Sequence, residues 1–291
     1  MVESRYYRVA DLVFSIKADA THFALMDNYA PFATEPTEDC LFALTVGDVP
    51  AARDAELFFT DTSDDDMPRI ELYRMRATHE WLLMVAPTKA AAVCARLRTS
   101  ADFREAVLQI DGDNARFAID NAAMLLYAFT TATRGVLEMH ASVTVKDGRG
   151  FLFLGHSGTG KSTHSRLWHE AYPEAWLLND DNPVLRLLDD GEVRVYGSPW
   201  SGKTPCYRQE SVPVGGIVPL KQAPENKIRP MRLPEAYANM LCSCSGLKII
   251  PEMMDGLYAT ISRIIQTVPV YQLECLPDTD AARLCHDTLN K

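Results

Sequence analysis

The run GHSGTGKSTH, residues 155–164, constrains the fold of this chain more than any other stretch. It matches G-x-x-x-x-G-K-[ST] and lies between an apolar strand-like run, FLFL at residues 151–154, and a helix-like run over residues 163–171. In that setting the glycines let backbone N–H groups turn inward on phosphate oxygens with no side chain in the way. The helix that follows adds its positive end. The expected cradle is Gly155, Ser157, Gly158, Thr159, Gly160, Lys161, Ser162 and Thr163. Lys161 would neutralise the β- and γ-phosphates of a nucleotide, and the Ser162 hydroxyl would ligate Mg²⁺. His156 and His164 flank the loop and are expected on the surface or behind the site.

Such a loop needs a carboxylate for the metal at the end of a neighbouring strand. WLLNDD at residues 176–181 supplies it: Trp176, Leu177 and Leu178 suit a buried strand, and Asp180 and Asp181 arrive at its end. The interval from Lys161 holds one helix and one strand, shorter than in motor ATPases and GTPases, and no guanine-reading N-K-x-D motif occurs. Two adjacent carboxylates suit a division of labour. One holds Mg²⁺ and the other accepts the proton of an attacking hydroxyl. A pair with a single working member stays open.

Bulk properties remove other classes. With 29 basic and 39 acidic side chains the net charge is −10, which argues against nucleic acid as a partner, because that affinity rests on cationic contacts to phosphate. The seven cysteines are scattered and odd in number, in a chain of 291 residues that is long enough to bury a core without staples. Reduced thiols and a cytoplasmic location are expected. The opening MVESRYYRVADLVF has no signal-peptide pattern, and no apolar run approaches the roughly 20 residues of a bilayer span. No membrane partner is expected.

Along the chain, residues 1–130 read as an α+β domain and residues 131–291 as the domain that carries the loop. Residues 6–18 form a strand-rich run, AELFFTDT, IELYRMRA and EWLLMVAP read as further strands, and the acidic DDDM at residues 64–67 suits a hairpin tip. Residues 88–110 are expected to carry at least one helix, and residues 120–135 another, with a polar start and a closing glycine. The second part opens with a hairpin, MHASVTV-KDGRG-FLFL, and has another at residues 184–196 with Asp-Gly in the turn. A strand from Gly215, helices within residues 234–245, 251–267 and 278–290, and a strand VPVYQLE complete it.

The ordered set MHASVTV, GFLFLGHSGTGKST and WLLNDDNPVLRL resembles the catalytic domain of HPr kinase/phosphorylase. The resemblance covers about residues 135–220. It implies an α/β P-loop kinase fold with a mixed sheet, similar to ATP-dependent phosphoenolpyruvate carboxykinase rather than to Ras. It implies an ATP- and Mg²⁺-dependent kinase acting on a serine of a protein or peptide. His140 then matches the strand histidine beside the catalytic acid. Lys161 and Ser162 are the loop lysine and metal-ligating serine, and Asp181 or Asp180 is the base, with Asp181 favoured. The family's hexamers leave a homo-oligomer open. The family also carries a glutamate-bearing segment after the hairpin. Here that place reads YGSPWSGKTPC, with no carboxylate, and offers Ser201, Gly202 and Lys203, from which Lys203 would stabilise developing charge. In this the chain resembles divergent HPr-kinase-like proteins found beside peptide-modification and other bacterial gene clusters, and residues 1–130 would serve acceptor recognition. The rival readings are a small-molecule kinase, a carboxykinase-like enzyme and a nucleotide sensor without turnover.

Overall fold

A computed structural model describes residues 1–51, 54–60, 68–202 and 204–290. The DDDM run and Lys203 lie outside the described residues. The chain divides into two compact units, Met1–Thr130 and Thr131–Lys291. No described helix is long and apolar enough to cross a membrane.

The first unit is built on a sheet of nine described strands: β1 Val2–Val9, β2 Leu12–Asp19, β3 Ala33–Thr34, β4 Cys40–Val46, β5 Ala55–Thr60, β6 Arg69–Met75, β7 Trp81–Ala86, β8 Ala95–Thr99 and β9 Glu105–Ile110. Their order is β3-β1-β2-β4-β9-β8-β7-β6-β5. The run 6–18 is therefore a hairpin rather than one strand. It turns at Ala10 and Asp11, whose φ angles are +47° and +62°, with Val9 opposite Leu12. Two left-handed residues suit the right-handed twist of a hairpin, but neither is glycine, so the turn carries no sequence signal. A short helix α1 (Ala20–Phe23) follows β2.

The helix expected within residues 88–110 does not form. That stretch is the β8–β9 hairpin, closed where the Phe103 N–H donates to the Ser100 carbonyl at 3.1 Å. The reason is a period of two: Ala95, Leu97 and Thr99 are buried, while Arg96 and Arg98 between them reach Asp111 and Glu80. Helix α2 (Ala115–Thr131) packs on this unit's core. The Tyr127 hydroxyl donates to the Val9 carbonyl at 3.0 Å, and Phe129 meets the Phe103 ring edge-on at 5.1 Å.

The second unit is α/β with a mixed sheet. Its strands are β10 Val136–Glu138, β11 Ala141–Lys146, β12 Arg149–Leu154, β13 Trp176–Asp181, β14 Val184–Leu187, β15 Val193–Tyr196, β16 Ser211–Gln222, β17 Lys227–Pro230 and β18 Tyr271–Cys275. The main path runs β10-β14-β15-β16-β12-β11-β13, and β18 joins β16 to β17. Pairs β12–β16 and β16–β18 are parallel and the others antiparallel. The helices are α3 Lys161–Ala171, α4 Leu233–Ser243, α5 Pro251–Thr267 and α6 Thr279–Leu289.

One register decides where the chemistry gathers. Strand β11 lies antiparallel between β12 and β13, and Ala141 at its start faces both Leu154 and Asp181. The end of β12, the end of β13 and the residue before β11, His140, therefore share one edge of the sheet. Helix α3 is held over that edge by its apolar face. Trp168 is fully buried, with its ring 4.9 Å from Phe151 and 5.6 Å from Phe153, and α6 closes the cluster through Ala282, Cys285 and Leu289.

The β8 assignment has a direct test. Leu97→Ala is expected to cost about 2–5 kcal/mol through the lost apolar contact and the cavity left behind. Arg96→Ala, next to it on the other face, is expected to change stability by about 0.5 kcal/mol or less, as partly exposed ion pairs do. Urea unfolding of the two variants checks this; equal large losses would restore a helical reading.

Candidate active site

The loop between β12 and α3 is left-handed at three glycines: φ is +152° at Gly155, +77° at Gly158 and +109° at Gly160. A Cβ on Gly155 would lie 2.9 Å from Thr159 Cγ2, so the loop closes this tightly only with glycine there. Gly160 caps α3 without a side-chain acceptor, which leaves the first amides of an eleven-residue helix open to an anion. Ser157 is exposed on the loop, Ser162 is exposed at the start of α3, and Thr163 is half-buried beside it.

Lys161 turns back under the loop and is buried. Its amine donates to the carbonyls of Gly155 at 2.8 Å and His156 at 3.4 Å, and lies 3.1 Å from His140 Nε2. Burial pulls its pKa below the usual lysine value, against Asp181 and Asp180, which favour the charged form. The Ser162 hydroxyl donates to Asp180 Oδ1 at 2.9 Å, which joins the start of α3 to the end of β13. Asp181 Oδ1 is 3.3 Å from His140 Nε2, and its Oδ2 accepts from Asn182 Nδ2 at 3.1 Å. Asp181 has φ +152°, a strained backbone for a residue with a Cβ.

The structure thus brings His140, Lys161, Ser162, Asp180 and Asp181 into one cluster at the mouth of the loop. Ser201 and Gly202 also reach it. The Gly202 N–H and the Ser201 hydroxyl donate to the Asp180 carbonyl at 2.7 and 3.2 Å. Lys203, the next residue, is outside the described chain. Arg229 donates to Glu235 at 3.0 Å and to Gln272 at 2.5 Å. The two flanking histidines differ. His156 is exposed. His164 is buried, accepts from Trp168 Nε1 at 3.1 Å, and burial pushes its pKa down to about 4.

Three contributions escape a reading of motifs. Gln222, at the end of β16, donates its amide to the carbonyls of Gly158 and Thr159, both at 3.3 Å, and so braces the loop from a distant part of the chain. Asn179 is fully buried. Its amide donates to the carbonyl of Trp200 at 3.1 Å and to Ser198 Oγ at 3.2 Å, and its Oδ1 accepts from the Asn182 N–H at 2.9 Å, which holds the segment around the two aspartates. Glu138 is 1% exposed, and neither carboxylate oxygen has a hydrogen-bond partner within the described residues. Burial drives its pKa up to about 7; Ser245 opposes this and Asp181 adds to it. Its sequence signal was an acid inside the apolar run VLEMHASV.

Glu138 yields a stability prediction. The fold favours its neutral form, so this stabilisation is complete below the ordinary carboxyl pKa of 4.5 and is lost as pH rises through about 7. A shift of that size is on the order of 3 kcal/mol. Glu138→Gln is expected to be more stable than the parent at pH 8, with the difference shrinking toward zero near pH 4. Denaturant melts across that range measure it, and a gap that does not change with pH contradicts the assignment.

Comparison with known proteins adds two findings. A phosphoenolpyruvate carboxykinase (ATP) of Caldanaerobacter subterraneus subsp. tengcongensis is 38% identical over 80 residues, 27% of this chain. The match spans only 14% of the carboxykinase's own length. A family model described as SynChlorMet cassette protein ScmC matches residues 106–277, a stretch that runs from β9 past β18 and contains every residue of the cluster above. The chain belongs to the ScmC family.

Proposed function

We propose that this ScmC-family chain is an ATP- and Mg²⁺-dependent kinase that transfers the γ-phosphoryl group to a hydroxyl, with a serine of a protein or peptide as acceptor. One observation carries the reading: a buried lysine, a serine hydroxyl, two aspartates and a histidine converge where a glycine loop meets the open end of a helix. The partial likeness to an ATP-dependent carboxykinase supports phosphoryl-transfer chemistry in general. The order of hairpin, loop, helix, acidic strand and second hairpin supports an HPr-kinase-like version of it.

The loop amides and Lys161 would hold the phosphates, and Gln222 would keep the loop in shape. The donor set suits Mg²⁺. Ser162 and Asp180 are hard oxygen ligands already in contact. Among the described residues no group of three or more His, Cys, Asp or Glu forms a metal cage, and Mg²⁺ needs none, since phosphates and waters complete its shell. When bound, the ion would neutralise charge on the phosphates. Asp181 is the candidate general base: it is less buried than Asp180, and it contacts His140.

The carboxykinase likeness also favours a second reading, transfer to a small molecule. The experiment separates the alternatives. Purified protein is offered Mg·ATP with serine-bearing peptides or with small hydroxyl and carboxylate acceptors, and product is followed by mass spectrometry. The kinase reading expects labelled peptide. Asp181→Asn is expected to lower kcat by about 10²–10⁴-fold, the usual worth of a general base, with ATP binding retained. Phosphorylated small molecules alone support the second reading. ATP binding without turnover on any acceptor would leave a nucleotide sensor.

A further inference from the structure

Within the proposed kinase reading, we infer that His140 is a positioning residue whose Nε2 is held by Lys161 while that lysine is bonded to its own loop, and is handed to Asp181 when phosphates draw Lys161 away. The argument starts from one nitrogen with two claimants. His140 Nε2 lies 3.1 Å from the Lys161 amine and 3.3 Å from Asp181 Oδ1. In a neutral imidazole each ring nitrogen either donates or accepts. Toward an ammonium Nε2 must accept; toward a carboxylate it must donate. It cannot do both at once. A doubly protonated ring would point an N–H at a cation.

The Lys161 side settles which claim wins first. An ammonium has three N–H groups, and here they have three internal acceptors: the Gly155 carbonyl, the His156 carbonyl and His140 Nε2. With those three partners the ammonium is saturated, which requires His140 Nε2 to accept and puts the ring's one proton on Nδ1. Asp181 Oδ1 then faces a lone pair, and its other oxygen rests on Asn182.

A triphosphate on the loop changes the competition. Phosphate oxygens carry full negative charge, so they attract the ammonium more strongly than its present neutral acceptors, two carbonyls and an imidazole nitrogen, can. Lys161 turns toward them and Nε2 loses its donor. The ring lies beside a carboxylate, so the stable tautomer becomes the one with its proton on Nε2. The imidazole gains and loses nothing; one proton moves from Nδ1 to Nε2 through solvent, which the 31% exposed side chain can reach. Asp181 is thereby clamped by His140 only when a phosphoryl donor is present. Glu138, two residues before His140, is buried and favours its neutral form, and the nearby charge of Asp181 adds to that preference. Together with Lys161, Asp180 and Asp181 it makes up the titratable surroundings of the exchange.

The test reads the tautomer directly. Protein labelled with ¹⁵N-histidine is recorded by two-bond ¹H–¹⁵N correlation, and the His140 signals are assigned by their loss in His140→Gln. The expected result is an unprotonated Nε2 without nucleotide and a protonated Nε2 with Mg²⁺ and a non-hydrolysable ATP analogue. Lys161→Ala without nucleotide is expected to show the protonated Nε2 as well. A His140 tautomer that is unchanged in the analogue-bound protein overturns the handover. Should Lys161→Ala not fold, that wild-type titration still decides. Failure of the analogue to bind at all overturns the kinase reading instead, and in that case an unchanged tautomer in Lys161→Ala overturns the lysine's hold on His140 independently.

Discussion

The site depends on a backbone ladder before it depends on any side chain. Strand β11 is hydrogen-bonded on one side to β12 and on the other to β13, antiparallel to both, with Ala141 opposite Leu154 and Asp181. Two antiparallel neighbours of one strand must run the same way as each other. The phosphate loop that follows β12 and the aspartates that close β13 therefore emerge at the same edge, beside His140. A slip of one residue in the β11–β13 pairing would turn Asp180 and Asp181 to the opposite faces. Thr144, Ser142 and Val143 are all buried along β11, so the register is held by packing as well as by hydrogen bonds.

Around this ladder the second unit places polar groups where they cost stability. Lys161, Asp180, Asn179, Ser198 and Glu138 are all buried. Most are compensated: Lys161 by loop carbonyls, Asp180 by Ser162, and Asn179 by the Ser198–Trp200 segment. Glu138 lacks such a partner among the described residues and stays protonated well above the usual carboxyl range. The apolar packing of Trp168 against Phe151 and Phe153 supplies an offsetting contribution and keeps the start of α3 in position. Strain at Asp181 falls at the same place, in keeping with backbones that are held by their surroundings rather than by their own preference.

Local pattern was legible where a residue's own neighbours decide its conformation. The KDGRG turn is one case, with Asp147 and Gly148 left-handed between Lys146 and Arg149. The closing helices are another, since proline and an aspartate cap mark their starts: Pro251 opens α5, and Asp278 accepts from the Ala281 N–H at α6. Reading failed where the pattern is short or the turn unmarked. In residues 88–110 the expected helix gives way to a hairpin, because the alternation of Ala95, Leu97 and Thr99 with two arginines fits a sheet with one buried face. At Ala10 and Asp11 the hairpin needs left-handed residues but uses neither glycine nor asparagine.

What the sequence determined by itself was the glycine loop between strand and helix, the acidic end of WLLNDD, and the α/β character of the second unit, because each rests on interactions between residues near in the chain. Tertiary structure alone decided that Gln222 braces the loop, that Asn179 ties down the 198–200 segment, that Glu138 is buried with neither carboxylate oxygen paired among the described residues, and that one imidazole nitrogen stands between Lys161 and Asp181. Those facts depend on which strands pair and in what register, and pairing is settled by burial summed over the whole sheet rather than by any local run of residues.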